Sequence, residues 1–180
     1  MRAARRALPP ADRAAADAAI ADHIRRLAAF RSARHVALFL AFDGEPSLAP
    51  IVATAASLGK AVYAPVLSGL TMHFAELRAA GTLATNFFGI LEPEFGATID
   101  ARRLDLVLTP LVAFDDHGIR IGVGRGYYDR YFAFLRNRAH WRRPKLLGVA
   151  YELQRVPALA AQAWDVPLWG VVTEQGVRRF

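Results

Sequence analysis

Short apolar runs alternate with stretches of helical periodicity along this chain of 180 residues. Apolar or β-branched runs predict strands at residues 35–42, 60–66, 104–108, 146–151 and 169–173. Alternation of polar and apolar residues indicates a further possible strand at residues 71–77. Apolar positions at helical spacing predict helices at residues 11–30, 47–59 and 126–138. Several glycines and a proline interrupt residues 78–101, so the pattern predicts no regular element there.

This alternation of strands and helices is typical of an α/β fold. We expect a single layered domain over residues 1–180, with a largely parallel central sheet flanked by helices. Ligands of such sheets bind beyond the carboxyl ends of the strands. The loops at residues 42–47 and 114–129 each follow a predicted strand and are therefore the candidate ligand-binding loops.

Composition excludes several classes of protein. No apolar run approaches the roughly 18 residues that a membrane span requires. Charged residues such as Arg2, Arg5 and Arg6 occupy the segment where a signal peptide would be apolar, so we expect a cytoplasmic protein without membrane contact. The chain contains no cysteine, which excludes disulfides, thiolate nucleophiles and cysteine–zinc sites.

The net charge is +7, and all basic residues except Lys60 and Lys145 are arginine. Arginine binds phosphate and carboxylate through two parallel hydrogen bonds, which favours polyanionic partners such as nucleotides, acidic metabolites or nucleic acid. An alanine- and arginine-rich composition with solvated arginines would give the same charge. Net charge therefore leaves the partner open.

The densest chemical signal is the segment FDDHGIRIGVGRGYYDR at residues 114–130. Its alternating glycines, Gly122, Gly124 and Gly126, precede a predicted helix, an arrangement that lets backbone N–H groups face an anion such as phosphate. Asp129 follows in the first helical turn, where it could reach a magnesium ion held by bound phosphates. The spacing fits neither the Walker loop nor the Rossmann fingerprint.

The same segment resembles the glycine-rich signature of the 5-formyltetrahydrofolate cyclo-ligase family. Further blocks resemble that family in the same order along the chain: LFLAFDGEPS, FGILEPE, DLVLTPLVAF, GVAYELQ and WDVPLWGVVTE. The resemblance implies an enzyme that uses ATP and Mg²⁺ to cyclise 5-formyltetrahydrofolate to 5,10-methenyltetrahydrofolate, releasing ADP and phosphate through a phosphorylated formyl intermediate. Such chemistry needs phosphoryl positioning more than a side-chain nucleophile.

The resemblance also implies residue roles. It assigns the ATP phosphates to one segment, made of Arg120, Gly122, Val123, Gly124, Arg125, Gly126, Tyr127 and Tyr128. It assigns the folate to Leu40, Glu45 and Tyr127, catalysis to Tyr127 and Arg120, and magnesium to Asp129 and Asp165. On the residues alone, Glu45 could be an exposed acid of a turn, and Asp165 could cap a turn before Pro167.

One departure from the family pattern concerns the amino terminus. The family usually carries a lysine and an arginine, both contacting nucleotide phosphate, several residues before the segment that begins at Arg5-Arg6. Here Met1 stands four residues ahead of that segment. Either a longer native chain supplies these cations, or Arg2, Arg5, Arg6 and Arg125 compensate, with Arg125 the better candidate because it lies between Gly124 and Gly126. Two other functions stay open: a weakly catalytic folate- or nucleotide-binding member of the fold, and a basic nucleic-acid-binding module. We expect small-molecule substrates, no nucleic acid, and a monomer or weak homodimer.

Overall fold

The computed structural model describes residues 1–78, 81–136 and 143–180. Its helices are α1 (Arg2–Arg6), α2 (Pro10–Arg26), α3 (Ala28–Ser32), α4 (Ala49–Ser57) and α5 (Tyr127–Tyr131). Its strands are β1 (His35–Ala37), β2 (Ala61–Ser68), β3 (Thr71–Glu76), β4 (Leu83–Thr85), β5 (Leu91–Pro93), β6 (Thr98–Ile99), β7 (Leu106–Pro110), β8 (Ala113–Phe114), β9 (Arg120–Ile121), β10 (Lys145–Val149), β11 (Gly170–Thr173) and β12 (Gly176–Arg179).

Eight of these strands form one sheet in the order β12-β11-β10-β7-β1-β2-β3-β6. The five central strands, from β11 to β2, run parallel. At the edges, β12 pairs antiparallel with β11, β3 with β2, and β6 with β3. The predicted α/β class, with a largely parallel sheet and flanking helices, is confirmed. β4 pairs with β5, and β8 with β9, as separate two-stranded ribbons.

Both faces of the sheet are buried, and consecutive residues of one strand pack into different hydrophobic clusters, one on each face. In β1, Val36 belongs to the cluster that packs against α2, α3 and α4, whereas Ala37 belongs to the cluster that packs against α5. Leu106 and Val107 of β7 divide in the same way. A parallel strand with two covered faces is apolar at consecutive positions, which is why the sequence shows runs rather than alternation.

Helix boundaries differ from the sequence prediction at two places. The single helix expected over residues 11–30 is two helices, because Leu27 adopts an extended conformation between α2 and α3. The helix expected over residues 126–138 is the five-residue α5, followed by a 3-10 turn at Ala133–Leu135. Residues 137 and 138 of that prediction lie outside the described residues.

Strand boundaries differ as well. The ladder of β1 ends at Ala37, and after one further backbone bond, from the Leu38 N–H to the Tyr63 carbonyl at 2.9 Å, the chain leaves the sheet. The sequence predicts no strand at β4, β5, β6, β8, β9 or β12, because two to four residues are too few to show a period. None of the helices that the structure describes is long and apolar enough to cross a membrane.

Candidate active site

A cavity of about 520 Å³ lies where the path of the chain through the sheet reverses. From β1 the chain continues to β2 on one side, and it returns to β7 on the other side of β1. Such a switch point leaves a crevice at the carboxyl ends of the two strands. The residues that follow β1, including Phe39 and Leu40, and those at the end of β7, Pro110 and Leu111, line the cavity.

The loop after β1 brings Glu45 into the lining of this cavity. The Glu45 N–H donates to the Phe42 carbonyl at 3.0 Å, and the Phe42 N–H donates to the Glu45 carboxylate at 3.1 Å. Asp43 and Gly44 between them have φ values of 52° and 75°. A Cβ on Gly44 would lie 3.3 Å from Cγ of Arg6 in addition to this left-handed conformation, so both backbone and space favour glycine.

Three arginines of α1 hold this loop in place. The Arg5 side chain is 1% exposed and donates from Nε and Nη2 to the Asp43 carbonyl, at 3.1 and 2.9 Å, and from Nη1 to the Leu111 carbonyl at 3.2 Å. Arg2 and Arg6 bind the Asp43 carboxylate at 2.6 and 3.1 Å. Burial acts to raise the pKa of Asp43, but the three arginines hold it below its usual value.

The Glu45 carboxyl group is unusual for a surface loop because its side chain is only 12% exposed. Burial raises the pKa of Glu45 to about 7, and the Phe42 N–H and the guanidinium of Arg5, 3.9 Å away, offset that effect only in part. Because this buried carboxyl has few partners within the protein, its oxygens can accept hydrogen bonds from a ligand. Glu45 is therefore a cavity residue and not an exposed acid of a turn.

We expect Arg5→Met to lower the free energy of unfolding by about 3 kcal/mol, because the change leaves buried carbonyls and the Glu45 carboxyl without their cation. Methionine keeps the apolar stem of the side chain. Arg6→Met is the matched control: the Arg6 side chain is 58% exposed, and a surface pair contributes at most about 1 kcal/mol. Urea unfolding measures both variants, and equal losses would show that the buried contacts of Arg5 contribute nothing extra.

The glycine segment also lines the cavity. Upstream, the buried Asp115 carboxylate accepts N–H groups from His117, Ile119 and Leu159, each at 3.0 Å, and so fixes the turn that leads into the segment. Within the glycine segment, a Cβ on Gly122 would meet no atom within 4 Å. The protein itself therefore leaves open space beside this backbone, which is the space that a ligand approaching closely would need.

Asp129 connects this segment to the residues before β11. Its Oδ1 accepts from Nη2 of Arg120 at 2.8 Å and from the Val166 N–H at 3.1 Å, while Nη1 of Arg120 donates to the Val166 carbonyl. The Arg120 side chain is 5% exposed, so its contacts make it a residue that positions Asp129. Direct contact of Arg120 with phosphate stays a prediction.

The two adjacent tyrosines of α5 differ in their contacts. The Tyr127 hydroxyl donates to the Gly69 carbonyl at 2.7 Å, and Arg130, which lies over the Tyr127 ring, donates to the Leu70 carbonyl at 3.1 Å. These bonds tie α5 to the turn between β2 and β3. The Tyr128 hydroxyl is buried without a hydrogen-bond partner among the described residues, and burial raises the pKa of its phenol.

The ribbon of β4 and β5 supplies a wall of the cavity that sequence reasoning missed. Asn86, Phe88 and Ile90 from the turn between these strands line it. The Asn86 side chain accepts the Phe88 and Ile90 N–H groups at 2.9 and 3.1 Å, and Glu92 accepts from both Asn86 and the Leu67 N–H at 3.1 Å. The sequence does contain a turn signal here, because Asn86 and Gly89 flank the two residues at the tip of this turn.

A second cavity, also about 520 Å³, lies beside the glycine segment. It shares Arg125, Gly126 and Asp129 with the first cavity, and its other lining residues are Gly124, Arg130, Ala133, Arg136 and Trp164. The glycine segment and Asp129 thus lie where two cavities meet. The Arg125 guanidinium lies over the Phe88 ring, 4.4 Å from its centroid, at this junction.

Most of the site residues expected from the sequence come together in the first cavity. Its lining includes Leu40, Glu45, Arg120, Gly122, Val123, Arg125, Gly126, Tyr127, Tyr128 and Asp129. Gly124 lines the second cavity, and Asp165 lines neither of the two. The Asp165 carboxylate accepts the Gln162 N–H at 2.8 Å, the turn contact that the sequence left open, and its role as a magnesium ligand stays a prediction.

The described residues contain no group of three histidine, aspartate or glutamate side chains that could hold a metal by itself. Magnesium does not require such a group, because it is commonly bound by one or two carboxylates together with substrate phosphates and water. The single carboxylate of Asp129, at the junction of the cavities and beside the glycine segment, fits that mode of binding.

Comparison with known proteins gives a consistent assignment. A model of the 5-formyltetrahydrofolate cyclo-ligase family matches residues 1–174. The 5-formyltetrahydrofolate cyclo-ligase of Haemophilus influenzae is 35% identical over 164 residues, covering 87% of this chain and 84% of that protein. The enzyme of the same name from Escherichia coli K12 is 39% identical over 150 residues, covering 81% of this chain and 80% of that protein.

Solved structures agree with the sequence relatives. The NMR structure of Aquifex aeolicus 5,10-methenyltetrahydrofolate synthetase superposes with a TM-score of 0.84 at 30% identity, covering 99% of this chain and 88% of that chain. Both the sequence match and the fold extend over nearly the whole chain. The chain therefore belongs to the 5-formyltetrahydrofolate cyclo-ligase family and is an enzyme of the ligase class.

Proposed function

We propose that the protein cyclises 5-formyltetrahydrofolate to 5,10-methenyltetrahydrofolate at the expense of ATP, with Mg²⁺ bound at Asp129. One observation carries the proposal: a single cavity is lined both by a buried carboxyl, Glu45, and by a glycine segment with Asp129. The carboxyl suits a pterin ring, and the glycine segment suits phosphate. The formyl group to be activated would lie between them.

On the folate side, Glu45 anchors the pterin. The amino and N–H groups of the ring are hydrogen-bond donors, and a carboxylate accepts from two of them at once. Leu40, Phe88 and Ile90 supply apolar walls for the flat ring system. Most of the lining of such a site is expected to be apolar, with a few polar groups that fix the orientation of the ligand.

On the nucleotide side, the backbone of Gly122 to Gly126 faces the phosphates, and the second cavity holds the remainder of the ATP molecule. The amino-terminal arginines Arg2, Arg5 and Arg6 all bind Asp43, which limits their availability for phosphate. Arg125, whose side chain contacts the ring of Phe88, remains a cation at the junction of the two cavities. This placement supports Arg125 as a cation for the nucleotide phosphates.

Activation of the formyl group follows from its chemistry. A formamide oxygen is a poor leaving group, so transfer of the γ-phosphoryl group to that oxygen creates an iminium phosphate that N10 of the folate can attack. The ring closes as phosphate departs. The protein holds both substrates in line and neutralises charge, with Arg120 fixing the Asp129 carboxylate. When bound, Mg²⁺ would neutralise the phosphate oxygens.

The test is the appearance of the methenyl product by its absorbance. We expect the absorbance to rise only when 5-formyltetrahydrofolate, ATP and a divalent metal are all present, with phosphate released in equal amount to product. Each pairwise mixture serves as a control. Product formation without ATP would contradict phosphoryl transfer, whereas ATP hydrolysis without methenyl product would contradict the assignment of the folate.

A further inference from the structure

The Tyr128 hydroxyl is a buried polar group that nothing in the described chain satisfies. Burying a hydroxyl without a hydrogen-bond partner is unfavourable, so native proteins rarely leave one unpaired, and such a group calls for an explanation. The other such atom among the described residues, Nε of Arg13, belongs to a guanidinium that already donates through Nη2 to the Arg5 and Arg6 carbonyls. Tyr128 makes no comparable bond.

The Tyr128 ring packs in the core and also faces the first cavity. It stacks on Phe132, with 6.2 Å between centroids, and meets Phe74 edge-on at 6.4 Å. Tyr128 lines the first cavity together with Glu45 and Arg120. Tyr128 therefore belongs to the cavity that the proposed pterin and phosphate groups share.

The bound formyl group would occupy the same region, which makes the following inference dependent on the proposed function. We propose that the Tyr128 hydroxyl donates a hydrogen bond to the formyl oxygen of the folate. A carbonyl oxygen has two lone pairs, so it can accept from a phenol and still present the second lone pair to phosphorus. The neighbouring Tyr127 hydroxyl and the Arg120 guanidinium already donate to protein acceptors, the Gly69 carbonyl and Asp129.

This role differs from a contact with ATP, which the resemblance implied for Tyr128. The hydrogen bond would select folates whose N5 substituent contains an acceptor oxygen. It would also fix the rotation of the formyl group before phosphoryl transfer, since the formamide is planar and only one of its two orientations would direct the oxygen toward Tyr128. Tyr128 would therefore be a determinant of specificity for the N5 substituent.

Binding of two folates to Tyr128→Phe tests the inference. We expect the dissociation constant of 5-formyltetrahydrofolate to rise about five- to tenfold, the size of one neutral hydrogen bond. The dissociation constant of 5-methyltetrahydrofolate, which has a substituent on N5 without oxygen, should not change. The Michaelis constant for ATP should also stay constant. The apolar contacts of the ring persist in phenylalanine, so thermal stability should be equal or higher.

Tyr131→Phe is the matched control, because Tyr131 lies on the same helix, contacts Phe74 and donates to the Ile99 carbonyl at 3.4 Å. It should leave both folate affinities unchanged. An equal loss for both folates in Tyr128→Phe, no loss for either, or a rise confined to the Michaelis constant for ATP would each overturn the inference. If the wild-type protein bound neither folate, the proposed function itself would fail.

Discussion

Asp129→Asn is expected to lower turnover by about 100-fold, the scale of loss that follows when a reacting group loses its positioning. Asparagine keeps the size of the side chain, and its amide oxygen can still accept from Arg120 and from the Val166 N–H. The fold should therefore survive. The lost charge is what a magnesium ion requires, so the concentration of magnesium that gives half-maximal rate should increase. Steady-state rates over a magnesium titration measure the effect.

Two further aspartates serve as comparisons for this variant. Asp12→Asn removes an exposed carboxylate of α2 and should leave the magnesium titration unchanged. Asp165→Asn tests the second ligand implied by the resemblance: a loss similar to that of Asp129→Asn would assign Asp165 to the metal, and a wild-type titration would restrict its role to the turn at Gln162. Near wild-type turnover of Asp129→Asn at all magnesium concentrations would refute the metal site.

Glu45→Gln is expected to weaken binding of 5-formyltetrahydrofolate by about 10- to 100-fold, because a charge-assisted hydrogen bond contributes roughly 1.5–3 kcal/mol. Binding to the wild-type protein should also strengthen as pH rises through about 7, where the Glu45 carboxyl ionises. The affinity of Glu45→Gln should not follow that transition. Calorimetric titration between pH 5.5 and 8 measures both effects, with pH values set to bracket the Glu45 transition.

The free protein should show the opposite trend in stability. Burial raises the pKa of Glu45 to about 7 in the folded protein, so its carboxyl keeps a proton up to that pH, whereas in the unfolded chain the carboxyl releases it near its ordinary pKa of 4.5. Folding stability therefore falls as pH rises between these values, by at most about 3 kcal/mol. Glu45→Gln should remove this part of the pH dependence, and the exposed Glu94→Gln should retain it. Identical pH profiles for all three proteins would contradict a buried, ligand-accepting carboxyl.

The sheet could be predicted largely from apolar runs, because its central strands are buried on both faces. The short edge strands could not, since two to four residues show neither a run nor a period. Gly122 to Asp129 were recognisable as a local segment, but the walls of the cavity were not. Arg5 reaches the Leu111 carbonyl across 106 positions of the chain, and such a contact leaves no local pattern in the sequence.

The long reach of Arg5 also has a consequence for biosynthesis. Residues of α1 leave the ribosome well before β7, yet the Leu111 carbonyl that Arg5 needs is made only after β7 has been synthesised. The wall beside Glu45 is therefore completed late, when two distant segments meet, as in other non-local contacts. A folate present during refolding would stabilise only molecules in which this docking has occurred. Protease cleavage after Arg6 would cut the link between Arg5 and the following chain, so that Arg5 would be held beside the site only by its hydrogen bonds to the Asp43 and Leu111 carbonyls and by its ion pairs.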